Sequence, residues 1–283
     1  MTTKIKYLTN KDILKEIHRS KTSFCSFVEK EYHQYDIILG DVDLSLDDCL
    51  NLITEDTIQE AKENCASRMG KAAQEAAIAE TGKKLPAKDF EVDPATINTN
   101  DLIFRIMTFD HIPLAPGRKK TVKTVADKHE KINFPPFQHW KFDEDDTLVC
   151  VGKSHWKGDI ADGKFSKTHG KMTEQLGRMF IKLCERYATR GNVRGYTYND
   201  EMRGQAILQL AQIGLQFDES KSNNPFAYYT AAVTNSFVRI INIEKRNQVI
   251  RDDILEMNGL NPSWTRQNEG SFKIPEAGSD SDD

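Results

Sequence analysis

The stretch "NNPFAYYTAAVTNSFVRIINIEKRN", residues 223–247, decides the reading of the second half of this chain. Asn224 is a residue type that caps helix N-termini. Pro225 suits the first helical position, where its missing N–H removes no hydrogen bond. From there Phe226, Tyr229, Val233, Phe237, Ile240 and Ile241 recur at helical spacing as one apolar stripe. Opposite that stripe fall Tyr228, Asn235, Arg239, Asn242 and Arg246, within about 60° of one another at about 100° per residue. This second face holds one aromatic ring, two amides and two guanidiniums, with no carboxylate. Solvated faces ordinarily mix charges of both signs. An amide can pair bidentately with adenine, an arginine with guanine or phosphate, and a tyrosine can stack on an unpaired base. These five residues are the candidate DNA contacts. Ala231 and Ala232 flank them and would let a nucleic-acid backbone come close.

The preceding segment predicts a helix from Asn199 or Asp200 to about residue 217, with Met202, Ala206, Leu210, Ile213 and Phe217 as its buried stripe. Beside it, Gln205, Gln209, Gln212 and Gln216 share a sector of about 60°. Four neutral donor–acceptor side chains bordering a core suit a protein-docking surface, although uncharged polar faces also arise by chance. A third helix is expected over 171–190, where Met172, Leu176, Met179, Phe180, Leu183, Cys184 and Tyr187 form one stripe ended by Gly191 and Asn192. Cys184 sits in that stripe and reads as packing rather than chemistry.

The first half carries weaker signals. "LTNKDILKEIHRS" opens with Asn10 as a plausible cap, and Ile13, Leu14 and Ile17 lie on one helical face. Residues 41–115 are acidic, with fifteen Asp or Glu against seven Lys or Arg, and include a long Ala- and Glu-rich helix. Thr57 and Glu60 are the expected capping pair there, and Gly82 the stop. Residues 113–137 are Pro-flanked and basic and read as a linker or arm. "HWKFDEDDTLVCVGKSHWKGD" then suggests a small β-hairpin. Its Trp140, Lys141, His155, Trp156 and Lys157 suit either contact with a nucleic-acid backbone or simple packing.

The 283 residues, 38% hydrophobic and 29% charged, suffice for one or two domains. A net charge of −4 excludes a uniformly basic coat but not a local DNA-reading face. Five scattered cysteines without a C-x-x-C pair argue against a disulfide framework or zinc ribbon. Cys150 and His155 lack a second pair of ligands, so no metal is expected. No apolar run approaches a membrane span and the amino terminus lacks a secretory h-region. No phosphate loop, nucleophile elbow or acid–base carboxylate pair appears, so neither an enzyme nor a cofactor is expected.

The run "RYATRGNVRGYTYNDEMRGQAILQLAQIGLQFDESKSNNPFAYYTAAVTNSFVRIINIEK" resembles region 2 of the sigma-70 family. It is most similar to the late-transcription sigma factors of T-even-type bacteriophages and related cyanophages. The resemblance covers roughly residues 166–268, with a fainter echo in "KYLTNKDILKEI". It implies a mainly α fold with four parts: an acidic, α-rich N-terminal segment over 1–115, a basic linker with a small hairpin over 116–165, a sigma region 2-like helical domain over 166–268, and an acidic, disordered tail over 269–283.

By that resemblance, the helix bearing Gln205, Gln209, Gln212 and Gln216 docks on the β′ clamp helices of host RNA polymerase core. The following helix recognises and opens the AT-rich −10-type promoter element. Tyr228 takes the place of the aromatic that stacks on a flipped adenine, Asn235 that of a glutamine reading the upstream edge of the element, and Arg239 that of a basic DNA contact. Promoter DNA, the phage sliding clamp and a late co-activator are the further implied partners, and the cytoplasm of the infected bacterium the implied location.

Three features depart from the family pattern. Residues 223–247 contain no tryptophan wedge. The segment after residue 268 has no room for a helix-turn-helix, so the reader of an upstream element is expected to be absent. The tail "SFKIPEAGSDSDD" offers only Phe272 and Ile274 to a clamp. Two other readings stay open: a stand-alone DNA-binding regulator, and an adaptor linking polymerase to another phage protein.

Overall fold

The computed structural model describes residues 8–41, 43–82, 86–117 and 121–269. The acidic tail, with Phe272 and Ile274, lies outside the described residues, as do the basic positions 118–120. The chain divides into two compact units, one of residues 1–183 and 210–230, the other of 184–209 and 231–283.

The first unit departs from the expected mainly α fold, because it is built on a mixed five-stranded sheet. In chain order it carries helix α1 (Asn10–Thr22), strands β1 (Cys25–Phe27) and β2 (Ile37–Leu39), helices α2 (Leu46–Leu50) and α3 (Glu55–Thr81), and strand β3 (Phe104–Met107). Strands β4 (Phe137–Phe142), β5 (Leu148–Ser154), β6 (Trp156–Lys157) and β7 (Lys164–Phe165) follow. The expected hairpin is β4–β5, but it is the middle of a sheet ordered β1-β5-β4-β3-β2. Three of its five strands therefore come from the segment read as helical. Only the β2–β3 pair is parallel, with Ile37 opposite Phe104 and Leu39 opposite Ile106. Strands β6 and β7 make a separate two-stranded ribbon.

Alternation across β3 explains the two layers. Phe104 and Ile106 face a core with Ile37, Leu39, Leu102, Cys49 and the Ala61, Cys65 and Ala66 side of α3. Arg105 points to the other face, where it pairs across the ladder with His139, as Met107 does with Phe137. All four β3 residues are buried, so both faces of the strand are covered, and Arg105 is its one charged residue. On this second face a Cβ at Gly152 would lie 2.5 Å from the Phe27 ring, so glycine is what lets Phe27 pack against His139. The 113–137 segment is tied down by a Leu114–His129 bridge and a Glu130 N–H donated to the Pro113 carbonyl at 3.0 Å.

Local capping differs from expectation at two helices. In α1 the cap is Thr9, whose hydroxyl accepts from the Asp12 N–H, one residue earlier than Asn10. In α3 Thr54 caps and Thr57 is its reciprocal partner, displacing the expected Thr57–Glu60 pair. Gly82, in the left-handed region at φ 65°, closes α3 as expected.

Three further helices follow: α4 (Glu174–Ala188), α5 (Asn199–Ile213) and α6 (Pro225–Met257). In the first unit Leu176, Met179, Phe180 and Leu183 of α4 are buried. The second unit packs Cys184, Tyr187, Val193, Met202, Ala206, Val233, Phe237 and Ile240. Tyr187 meets Phe237 edge-on at 4.9 Å, and the Asn199 amide donates to the carbonyls of Ala188 and Val193. Burial pushes the Cys184 thiol up to about 11, which fits packing rather than reactivity. Just past the end of α6, Gly259 stands at φ 71° and the Leu260 N–H returns to the Leu255 carbonyl. Ser263 then donates both its N–H and its hydroxyl to Asp252 and starts the short α7 (Trp264–Glu269).

Candidate nucleic-acid interface

Helix α6 begins as its sequence dictates. The Asn224 side chain accepts the Ala227 N–H at 3.1 Å, while Asn10 of α1 accepts the Phe226 N–H at 3.0 Å. Two of the donors left over at a helix start are thus satisfied by side chains.

In the first unit, Tyr228 is 36% exposed and lies edge-on to Phe217 at 5.6 Å and to Tyr229 at 5.2 Å. Burial of part of the ring holds its phenol above the usual tyrosine range. Its neighbour Tyr229 is fully buried, 4.7 Å from the Phe180 ring, and donates its hydroxyl to the Gly214 carbonyl at 2.5 Å. The two adjacent tyrosines have divided their work: one ring is inside and one presents an edge to solvent. Phe226, assigned to the core stripe from sequence, is instead 38% exposed, while Pro225 is buried.

In the second unit, Asn235, Arg239, Asn242 and Arg246 are all exposed, whereas Val233, Phe237 and Ile240 are buried. Among the described residues, neither Arg239 nor Arg246 has an ion-pair partner. The amides of Asn235 and Asn242 likewise make no side-chain hydrogen bond.

The glutamine stripe survives only in part. Gln205 and Gln209 lie on α5 in the second unit, Gln205 exposed and Gln209 half-buried. In the first unit Gln212 is exposed on the last turn of α5, but the helix ends at Ile213, so Gln216 leaves the face and lies in the following turn. The next residue has to be glycine: a Cβ at Gly214 would lie 2.7 Å from the Phe180 ring and 2.8 Å from the Leu210 carbonyl. The chain turns where backbone can approach most closely.

The aromatic and basic residues of the hairpin are engaged inside the first unit. The Trp140 indole donates to the Gln138 side chain at 3.1 Å, and the Trp156 indole to the Asp159 carbonyl at 2.8 Å. Lys141 lies over the Tyr32 ring at 4.9 Å and donates to its hydroxyl. His155 is fully buried, 4.1 Å from Phe134, and its desolvated imidazole is held down to about 3. Only Lys157 of this set is exposed. The packing reading therefore accounts for Trp140, Lys141, His155 and Trp156.

One cluster was not legible beforehand. Arg105, 1% exposed, is sandwiched between Tyr35 at 3.7 Å and Phe137 at 4.0 Å. Its guanidinium donates to His139 Nε2, to Glu219 at 2.8 Å and to His18 Nδ1. His139 must then carry its proton on Nδ1, which donates to the Tyr32 carbonyl at 2.7 Å. Burial first, and Arg105 second, keep both histidines neutral, His18 down to about 3.

No family model, no curated protein and no solved structure matches this chain. Among the described residues, no helix is long and apolar enough to cross a membrane.

Proposed function

We propose that this protein is a sigma-like transcription initiation factor that binds bacterial RNA polymerase core and directs it to AT-rich late promoters of a bacteriophage. The observation that carries the reading is the exposed, carboxylate-free set Asn235, Arg239, Asn242 and Arg246, whose polar groups have no partner among the described residues. Donors of this kind suit phosphates and base edges. Tyr228 supplies a half-exposed ring for stacking on an unpaired base. In this scheme Gln205, Gln209 and Gln212 meet the β′ clamp helices, and Gln216 contributes from the turn. The sliding clamp and a late co-activator remain the proposed further partners, and the cytoplasm of the infected host the proposed location.

The test is run-off transcription with purified core polymerase and this protein on a supercoiled template bearing a TATAAATA element. A specific start is expected, and Tyr228→Ala is expected to retain polymerase binding while losing permanganate-reactive thymines. Tight, salt-dependent duplex binding without polymerase, and no specific start with it, would favour the stand-alone regulator instead.

A further inference from the structure

The Arg105 cluster has no role in the scheme above, yet it is the largest group of buried charge described in the first unit. Arg105, Lys21 and Glu219 place two cations and one carboxylate together, each almost fully buried. Such clusters contribute little net stability, because desolvation offsets most of the attraction; what they supply is a defined geometry.

What this one defines is the connection between α5 and α6. Glu219 accepts from Arg105 Nη1 at 2.8 Å and lies 3.6 Å from Lys21 Nζ. Lys21 Nζ donates to the Phe217 carbonyl at 2.8 Å. At the other end of the turn, Gly214 accepts the Tyr229 hydroxyl. Phe217, 2% exposed, is held between these anchors, and its ring is the surface against which Tyr228 lies edge-on. The path runs from a strand of the sheet and from α1, through one carboxylate and one carbonyl, to the ring behind Tyr228.

We propose that Arg105, Lys21 and Glu219 are positioning residues: by fastening the Gly214–Ser220 turn to β3 and α1, they hold Phe217 as a backstop that sets the orientation of the Tyr228 ring. This gives the sheet, which has no place in the helical reading of the sequence, a function in presenting the ring. Its consequence for DNA rests on the proposed role of Tyr228 in stacking on a base.

The experiment uses the full chain with ring-labelled tyrosine, the Tyr228 signal being assigned by Tyr228→Phe. It compares wild type, Glu219→Gln, Phe217→Leu and Tyr228→Ala. Two readouts are taken: the shift and width of the Tyr228 ring resonance, and quenching of 2-aminopurine in a single-stranded AT-rich oligonucleotide. Amide exchange in β3 and β4 confirms that the sheet of each variant is intact. Glu219→Gln and Phe217→Leu are expected to move or broaden the Tyr228 resonance with β3 and β4 still protected, and to weaken oligonucleotide binding about tenfold. An unmoved Tyr228 resonance in Glu219→Gln overturns the positioning proposal, whatever the oligonucleotide does, because Phe217→Leu shifts that signal merely by removing a ring 5.6 Å away. A moved resonance with equal binding by wild type and Tyr228→Ala supports the anchoring but sinks the stacking role.

Discussion

The sheet face that carries Arg105 and the exposed face of α6 that carries Arg239 and Arg246 are opposites in how their donors are used. Arg105 has aromatic rings on either side and donates to a carboxylate and two imidazoles. Arg239 and Arg246 are exposed and have no ion-pair partner among the described residues. A guanidinium removed from water must find its partners inside the protein, because an uncompensated buried charge costs several kcal/mol. One left in water can wait for a ligand at little cost. The first arrangement makes geometry; the second makes a binding surface.

The contrast can be broken most directly at Arg105. Arg105→Ala strands Glu219 beside a single lysine and opens a cavity, and is expected to cost about 3–5 kcal/mol in denaturant unfolding. A loss within about 0.5 kcal/mol, the range of a surface substitution, would put Arg105 in the same class as Arg239.

Acid sharpens the comparison next, group for group. His155 is neutral in the fold because burial, followed by the nearby His111 and His169, holds its pKa at about 3, below the ordinary 6.5. Its folded pKa is depressed, so the unfolded chain takes up a proton first as pH falls. The stability is whole above 6.5 and declines from there down toward about 3. Between pH 6.5 and 5 this histidine alone is expected to cost up to about 2 kcal/mol. His18 and His111, lowered to about 3 and about 4 chiefly by desolvation, act in the same direction. Glu219, held below its ordinary value by Lys21 and Arg105 against its own desolvation, adds a loss only at still lower pH. Thermal melting followed from pH 7.5 to 5 should show a steady fall; a flat profile would mean that these imidazoles are accessible to protons in the fold.

On the exposed face the effects shift from folding to binding. Arg239→Ala with Arg246→Ala should leave unfolding within about 0.5 kcal/mol of wild type. It should also lower the slope of log K against log salt for DNA by roughly 2, if each guanidinium meets one phosphate. An unchanged slope would remove both from the phosphate contacts. The smallest effect is expected from Asn235→Ala. Its amide carries no charge, so the salt slope should stay fixed while preference for the promoter element drops by about 1 kcal/mol, read by competition between matched and mutated elements.

The uneven legibility of this molecule follows from the range of its contacts. Helices α4, α5 and α6 are marked by stripes repeating every 3.6 residues and by local punctuation such as Asn224 and Pro225, all within a few positions of one another. The sheet was hidden because β1 and β2 are three residues long and pair only with distant segments, Phe27 with Gly152 and Ile37 with Phe104. Three residues are too few to display an alternating period. Gln216 was misplaced because α5 ends at Ile213, before the apolar pattern that continues to Phe217 does. Arg105 lies within the apolar run "DLIFRIM", and its carboxylate partner is 114 positions later in the chain, beyond the reach of any local pattern.

Residue type and spacing were thus enough for helices α4, α5 and α6, for most of the buried side of each, and for the carboxylate-free composition of the opposite side of α6. Those properties depend on residue type and spacing alone. It took the folded chain to reveal a mixed sheet in the first half, a Tyr228 half-exposed against Phe217 beside a buried Tyr229, and an Arg105 that belongs to the interior. Each of those depends on which distant groups exclude water from a side chain, and burial is a property of the assembled unit rather than of any segment within it.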